Sequence, residues 1–254
     1  MMWQPVSGCG IECVATGNDV VAPGRVILRV LSLVGVLMSG LLLVPLLRRA
    51  AVRAVARAVL AALGVDLVWR GPVPRPGSLL VANHVSWLDI VALLAVEPVA
   101  LVAKHEVRNW PVIGVLARAS GSVFLDRTRP RRLPGAVHEV AAALRAGRSV
   151  AVFPEGTTFC GATRGRFRPA MFQAAVDAHA PVVPIAIRYD STAAAFVGDD
   201  TLWNSVRRVA ALRSLTITLV AASALRPAEG TDRRSLARAA QSCVAMTSAF
   251  GLAA

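Results

Sequence analysis

Leu79-Leu80-Val81-Ala82-Asn83-His84-Val85-Ser86-Trp87-Leu88-Asp89 joins a short apolar run to a polar turn that carries a histidine. The run 79–82 has the length and continuous apolarity of a buried strand, which puts His84 just past a strand's carboxyl end. In open α/β sheets that edge is where ligands bind. Asp89 opens a second apolar segment (Ile90, Val91, Leu93, Leu94) and is placed either to cap a helix or to turn back onto the imidazole. A histidine whose second nitrogen is held by a carboxylate has a fixed tautomer and can serve as a general base. Read alone, the segment is equally a strand-end histidine followed by a capping aspartate.

Working outward, apolar runs alternate with helical patterns. Strands are expected at 79–82, 99–103, 121–125, 149–153, 182–187 and 215–220, and helices at 89–95, 111–119, 132–146, 169–178 and 232–248. Val-, Ile- and Leu-rich strands separated by helices predict an α/β domain over 64–254, a largely parallel central sheet flanked by helices. Pro184, within 182–187, cannot donate to a ladder and favours an edge or strand-start position.

Before that domain, Val30–Leu47 is 18 residues without a charge, between Arg25 and Arg29 on one side and Arg48 and Arg49 on the other. Such a run is at the short limit for crossing a hydrocarbon core of ~30 Å. Arg49, Arg53 and Arg57 then recur at i+4 beside an apolar face, the pattern of a helix lying on lipid with its cations against phosphates. Residues 25–63 are therefore expected to be a membrane-associated helix pair, either one helix spanning and one lying on the inner face, or a hairpin in one leaflet. The arginine count puts the catalytic part on the cytoplasmic face of the cell membrane in both cases. Residues 1–24 lack periodicity and are expected to be poorly ordered.

The net charge is +13 with 55% hydrophobic residues. That combination argues against disorder and suits an anionic membrane surface better than a nucleic acid. Cys9, Cys13, Cys160 and Cys243 are too few and scattered for a disulfide framework in 254 residues. Cys9 and Cys13 are spaced as metal ligands can be, but no second ligand pair accompanies them, so no metal is expected. No His-Glu-x-x-His segment and no Gly-x-Ser-x-Gly elbow is present.

Three further segments fall at strand ends. Asp126-Arg127 follows 121–125, and Arg127 can grip a phosphate bidentately, in a field deepened by Arg129, Arg131 and Arg132. Pro154-Glu155-Gly156-Thr157-Thr158 follows 149–153; Glu155 is either a turn carboxylate or a ligand to substrate hydroxyls, and Gly156 lets backbone N–H groups approach a substrate. Arg164, Arg166 and Arg168 form a dense basic loop that could reach phosphates.

Taken in order, Asn83 to Asp89, Gly121 to Arg127, Phe153 to Thr158 and Val183-Pro184-Ile185 resemble the four successive motifs of the glycerophospholipid acyltransferases, and Lys104-x-Glu106 with Pro111-x-x-Gly114 resembles that family's intervening segment. The similarity covers about residues 78–190, and the likeness is nearest to the bacterial 1-acylglycerol-3-phosphate acyltransferases. It implies that His84, oriented by Asp89, deprotonates the hydroxyl of a lysophospholipid acceptor as it attacks an acyl thioester. Acyl-coenzyme A or acyl carrier protein would be a co-substrate, with no cofactor. Arg127 would hold the acceptor phosphate, Glu155, Gly156 and Thr157 would complete the pocket, and Lys104 would be a second cation or oxyanion stabiliser. A different acceptor, such as a lyso-ornithine lipid, or a non-catalytic membrane-binding module, are the alternatives.

Overall fold

A computed structural model describes residues 5–15, 19–126 and 128–250, the side chains of 45–49 and 248–250 excepted. A seven-stranded sheet runs β1 (Val65–Arg70), β7 (Leu215–Ala221), β6 (Val182–Tyr189), β2 (Leu79–Ala82), β5 (Val150–Val152), β3 (Ala100–Lys104), β4 (Val123–Leu125). Every pairing is parallel except β6 with β7. β2 and β5 are buried along their whole length, as strands covered on both faces must be. One face carries α4 (Leu133–Arg145), α5 (Phe172–Asp177) and α7 (Arg233–Phe250); the other carries α1 (Pro23–Leu63), α2 (Leu88–Val96) and α6 (Leu202–Ala211), with α3 (Ile113–Ala119) beside α1.

β1 and α6 had not been expected. β1 buries only alternate residues and carries Asp66 and Arg70, so it lacks a continuous apolar run. α6 is marked at its start by Thr201, whose hydroxyl accepts from Asn204 N–H.

Pro184 lies in the third strand of seven, not at an edge. Its polar face is nevertheless turned to where β7 ends. The β6–β7 ladder begins only at Ile185↔Ala221, and the Pro184 carbonyl accepts from Ala222 N–H at 2.9 Å. No ladder partner is lost there, so an interior strand tolerates the proline.

α1 is helical over 41 residues but folds back on itself. A straight helix would hold Arg29 and Gly64 about 50 Å apart and Gly40 and Val55 about 22 Å apart. Instead the Arg29 guanidinium lies against Gly64, and a Cβ placed on Gly40 would be 3.0 Å from a Val55 methyl. Val44, Ala51 and Val52 close the fold-back end against Leu94 and Leu116. The amino-terminal limb therefore packs one face on the carboxyl-terminal limb. Its other face, Ile27, Leu31, Val34, Met38 and Leu42, is exposed at 51–71%.

The arginine stripe keeps part of its surface open, Arg57 being exposed and Arg53 partly so, and it also reaches into helix ends. Arg53 Nη2 donates to the Val96 carbonyl and lies 3.5 Å from Glu97, and Arg57 Nε donates to the Ala95 carbonyl at 3.0 Å. Arg29 does the same for the Ala210 and Leu212 carbonyls at the end of α6. The last carbonyls of a helix have no intrahelical donor and carry the negative end of its dipole, so a cation there meets both needs. Arg48 and Arg49 lie outside the described side chains.

Of the amino-terminal residues expected to be poorly ordered, the described ones, 5–15 and 19–24, lie along the domain as a strap. Val21 N–H donates to the Ala211 carbonyl at 2.8 Å, Ala15 N–H to the Thr192 hydroxyl at 3.2 Å, and Cys9 and Val14 are buried. These contacts are tertiary and leave no periodic trace in the sequence.

Arg57→Gln should lower the unfolding free energy by about 1–3 kcal/mol, through an unsatisfied helix end, without changing binding to anionic vesicles. Chemical unfolding and vesicle flotation measure the two; weakened vesicle binding with unchanged stability would return Arg57 to the lipid.

Candidate active site

The carboxyl ends of three adjacent parallel strands, β6, β2 and β5, bring His84, Glu155 and Tyr189 together. Asn83 anchors the turn by standing in for a strand residue: its amide donates to the Ile187 carbonyl at 3.0 Å and its oxygen accepts from Ile187 N–H at 2.8 Å. The chain then bends away at His84, so that Asp89, in the first turn of α2, points back under it.

Asp89 has no solvent exposure. Its Oδ2 lies 2.8 Å from His84 Nδ1 and accepts from the backbone N–H groups of Val85 at 2.6 Å and Ser86 at 2.9 Å. Its Oδ1 accepts from the Tyr189 hydroxyl at 2.6 Å. A buried carboxylate requires such a set of donors. The acceptor on Nδ1 places the imidazole proton there and leaves the Nε2 lone pair for substrate. Phe153 stacks on the ring at 4.1 Å between centroids and fixes its plane.

Tyr189 was not foreseen. It is the single tyrosine of the chain and ends β6, five residues after Pro184, which is the only signal the sequence offers. Burial first, then the charge of Asp89, pushes its phenol well above the ordinary tyrosine range, so it stays a donor.

Glu155 is buried at 3% exposure. Its two oxygens accept from His84 N–H at 2.7 Å and Gly165 N–H at 2.9 Å, so it braces the turn that carries His84 from the end of β5. Burial raises its pKa from 4.5 to about 7, against the lowering effect of those two N–H groups. The loop beyond it is tied to the same turn, with Phe159 N–H donating to the His84 carbonyl at 2.8 Å.

Gly156 lies in the turn that follows Glu155. Its N–H donates to the Phe153 carbonyl at 3.0 Å, within a turn at φ +78°, and a Cβ there would lie 2.7 Å from Pro5. Glycine is required there by the backbone and by the strap.

Glu155 and Thr157 border a cleft of about 760 Å³ that is also lined by Arg166, Arg168, Arg234 and Arg238. Two of these arginines come from the basic loop and two from α7, which no motif had marked. Lys104 stands exposed at the end of β3, two strands from β2. Arg127 lies outside the described residues.

A protein-family model described as Acyltransferase matches residues 67–188. The 1-acyl-sn-glycerol-3-phosphate acyltransferase of Neisseria meningitidis serogroup B is 37% identical over 196 residues, 74% of this chain and 77% of that one. The chain belongs to the acyltransferase family. The lyso-ornithine lipid O-acyltransferase of Pseudomonas aeruginosa is 36% identical over 200 residues, 76% of each chain. The fold of this acyltransferase is shared with the crystal structure of the 1-acyl-sn-glycerophosphate (LPA) acyltransferase PlsC from Thermotoga maritima, with a TM-score of 0.70 at 20% identity over 89% of this chain and 95% of that one.

Tyr189→Phe should lower kcat about tenfold and leave the acceptor KM unchanged, since it removes a donor from a buried oxygen without touching substrate. Steady-state kinetics decide; a change in KM alone would make Tyr189 a binding residue. For Glu155, the folded state holds the proton more tightly than the unfolded chain. Its stabilising contribution is full below pH 4.5 and is lost as pH rises to about 7. The unfolding free energy of the native acyltransferase relative to Glu155→Gln should therefore fall by about 2–3 kcal/mol between pH 5 and 8. A pH-independent difference in urea unfolding would contradict this.

Proposed function

We propose that this acyltransferase moves an acyl group from an acyl thioester to the free hydroxyl of 1-acyl-glycerol-3-phosphate, giving phosphatidic acid. The observation that carries the proposal is His84 Nδ1 lying 2.8 Å from Asp89 at the carboxyl edge of the sheet, with Nε2 left for an acceptor hydroxyl. His84 Nε2 takes the hydroxyl proton as the oxygen attacks the thioester carbonyl. Collapse of the tetrahedral adduct forms the ester C–O bond and breaks the C–S bond, and the imidazolium returns its proton to the departing thiolate. Ser86 is fully buried, in keeping with direct transfer without an acyl-enzyme. No cofactor takes part, and acyl-coenzyme A or acyl carrier protein is the co-substrate.

The arginine-lined cleft supports a phosphate-bearing acceptor. Its four arginines outnumber its two carboxyl groups, Glu155, which is engaged by the His84 and Gly165 N–H groups, and Asp232, which is engaged by Ser235 N–H at 3.0 Å. Arg127 would add a further cation. The name of the Neisseria relative agrees with this acceptor; that of the Pseudomonas relative supplies the second reading, a lyso-ornithine lipid, whose carboxylate would also suit arginine.

The enzyme works on the cytoplasmic face of the membrane, where coenzyme A and carrier-protein thioesters are found. Pro23–Val44 has a mean hydropathy of 2.4 and its outer face is bare. Both ends of this limb are tied to the domain, Arg29 to α6 and Val44 to α2 and α3, which favours a hairpin lying in one leaflet over a spanning helix.

The protein should be reconstituted in liposomes with radiolabelled acyl-coenzyme A and a panel of lysolipids. 1-Acyl-glycerol-3-phosphate should be acylated, and His84→Ala should lose about a hundredfold or more of that rate while still binding vesicles. Acylation of lyso-ornithine lipid in its place would change the acceptor. Retained turnover in the His84 variant would end the mechanism.

A further inference from the structure

Cys9 and Cys13 gain a third partner in the folded chain. The sulfurs of Cys9, Cys13 and Cys160 all lie within 4.8 Å of one another, with Cys9 and Cys160 buried. The first two belong to the amino-terminal strap, and the third to the loop after Glu155, whose Phe159 bonds the His84 carbonyl. Around them, the Thr163 hydroxyl lies 2.9 Å from Cys9 Sγ and 3.5 Å from Cys160 Sγ, and Cys160 N–H donates to Cys9 Sγ at 3.4 Å. Val14, Val85, Ala195 and Val197 enclose the group.

We propose that Cys9, Cys13 and Cys160 are the three protein ligands of a zinc ion that fastens the amino-terminal strap to the active-site loop. A tetrahedral zinc with Zn–S bonds of about 2.3 Å holds its sulfurs about 3.8 Å apart, a spacing these three already approach. Three soft sulfur ligands select thiophilic cations over magnesium or calcium. Binding displaces the thiol protons to solvent, and solvent supplies the fourth ligand.

At the far end of the strap Pro5 and Val6 line the cleft beside Glu155, so the zinc would set how that wall of the substrate site is held.

The test uses the full-length protein, purified in detergent under reducing conditions from cells supplied with zinc. Elemental analysis should find about one zinc per chain, and cobalt replacement should give the intense near-ultraviolet thiolate-to-metal absorption. Cys160→Ser should bind less than a tenth as much, as should Cys13→Ser, whose partly exposed position makes it the safer variant for folding. Cys243→Ser on α7 should keep the full content. Zinc-free native protein, unchanged zinc in Cys13→Ser, or a Cys9–Cys160 disulfide in protein isolated anaerobically would overturn the proposal.

Discussion

The carboxylate of Asp89 is the constraint on which the site depends. A charge with no solvent contact is unfavourable by several kcal/mol unless donors surround it. Here the donors are the groups that must be placed for chemistry: the His84 ring, the two N–H groups of the turn that carries it, and the Tyr189 hydroxyl from the next strand. Satisfying the carboxylate and orienting the His84 ring are thus one event. Glu155 repeats the arrangement from the opposite side, receiving the N–H of His84 itself and that of Gly165. The turn that carries His84 is held between two buried acids, Asp89 on α2 and Glu155 just beyond β5.

The same economy of unpaired polar groups explains the amino-terminal region. Arg29, Arg53 and Arg57 would be costly beside an apolar helix unless each found an acceptor. They find the free carbonyls that end α6 and α2. The hairpin is thereby keyed to the domain by polar contacts at its base, while Leu31, Met38 and Leu42 remain bare. The apolar hairpin and the acyltransferase fold are consequently one packed unit.

The sequence was most legible where a residue's role is local. Continuous apolar runs located β2, β3, β5 and β6 to within one or two residues, and the order of strand-end motifs led to His84, Asp89 and Glu155. It was least legible where a residue answers to something distant. The arginine stripe has the spacing of a lipid-facing surface, and only the fold shows that Arg53 and Arg57 also serve the carbonyls that end α2. Tyr189 carries no motif, because its partner lies 100 residues away. Gly156 was read as letting backbone N–H groups approach a substrate, and what the sequence could not show is that its missing side chain also makes room for Pro5. Cys160 joins Cys9 and Cys13 only through the course of the strap.

The central claim is that Asp89 fixes the His84 tautomer and leaves Nε2 as the base. Nitrogen-15 NMR of the histidine-labelled protein in detergent, with the His84 resonances assigned by loss in a His84 variant, reads the two ring nitrogens directly. The structure predicts a protonated Nδ1 and a bare Nε2 in the resting enzyme. A proton on Nε2 and a bare Nδ1 would contradict it.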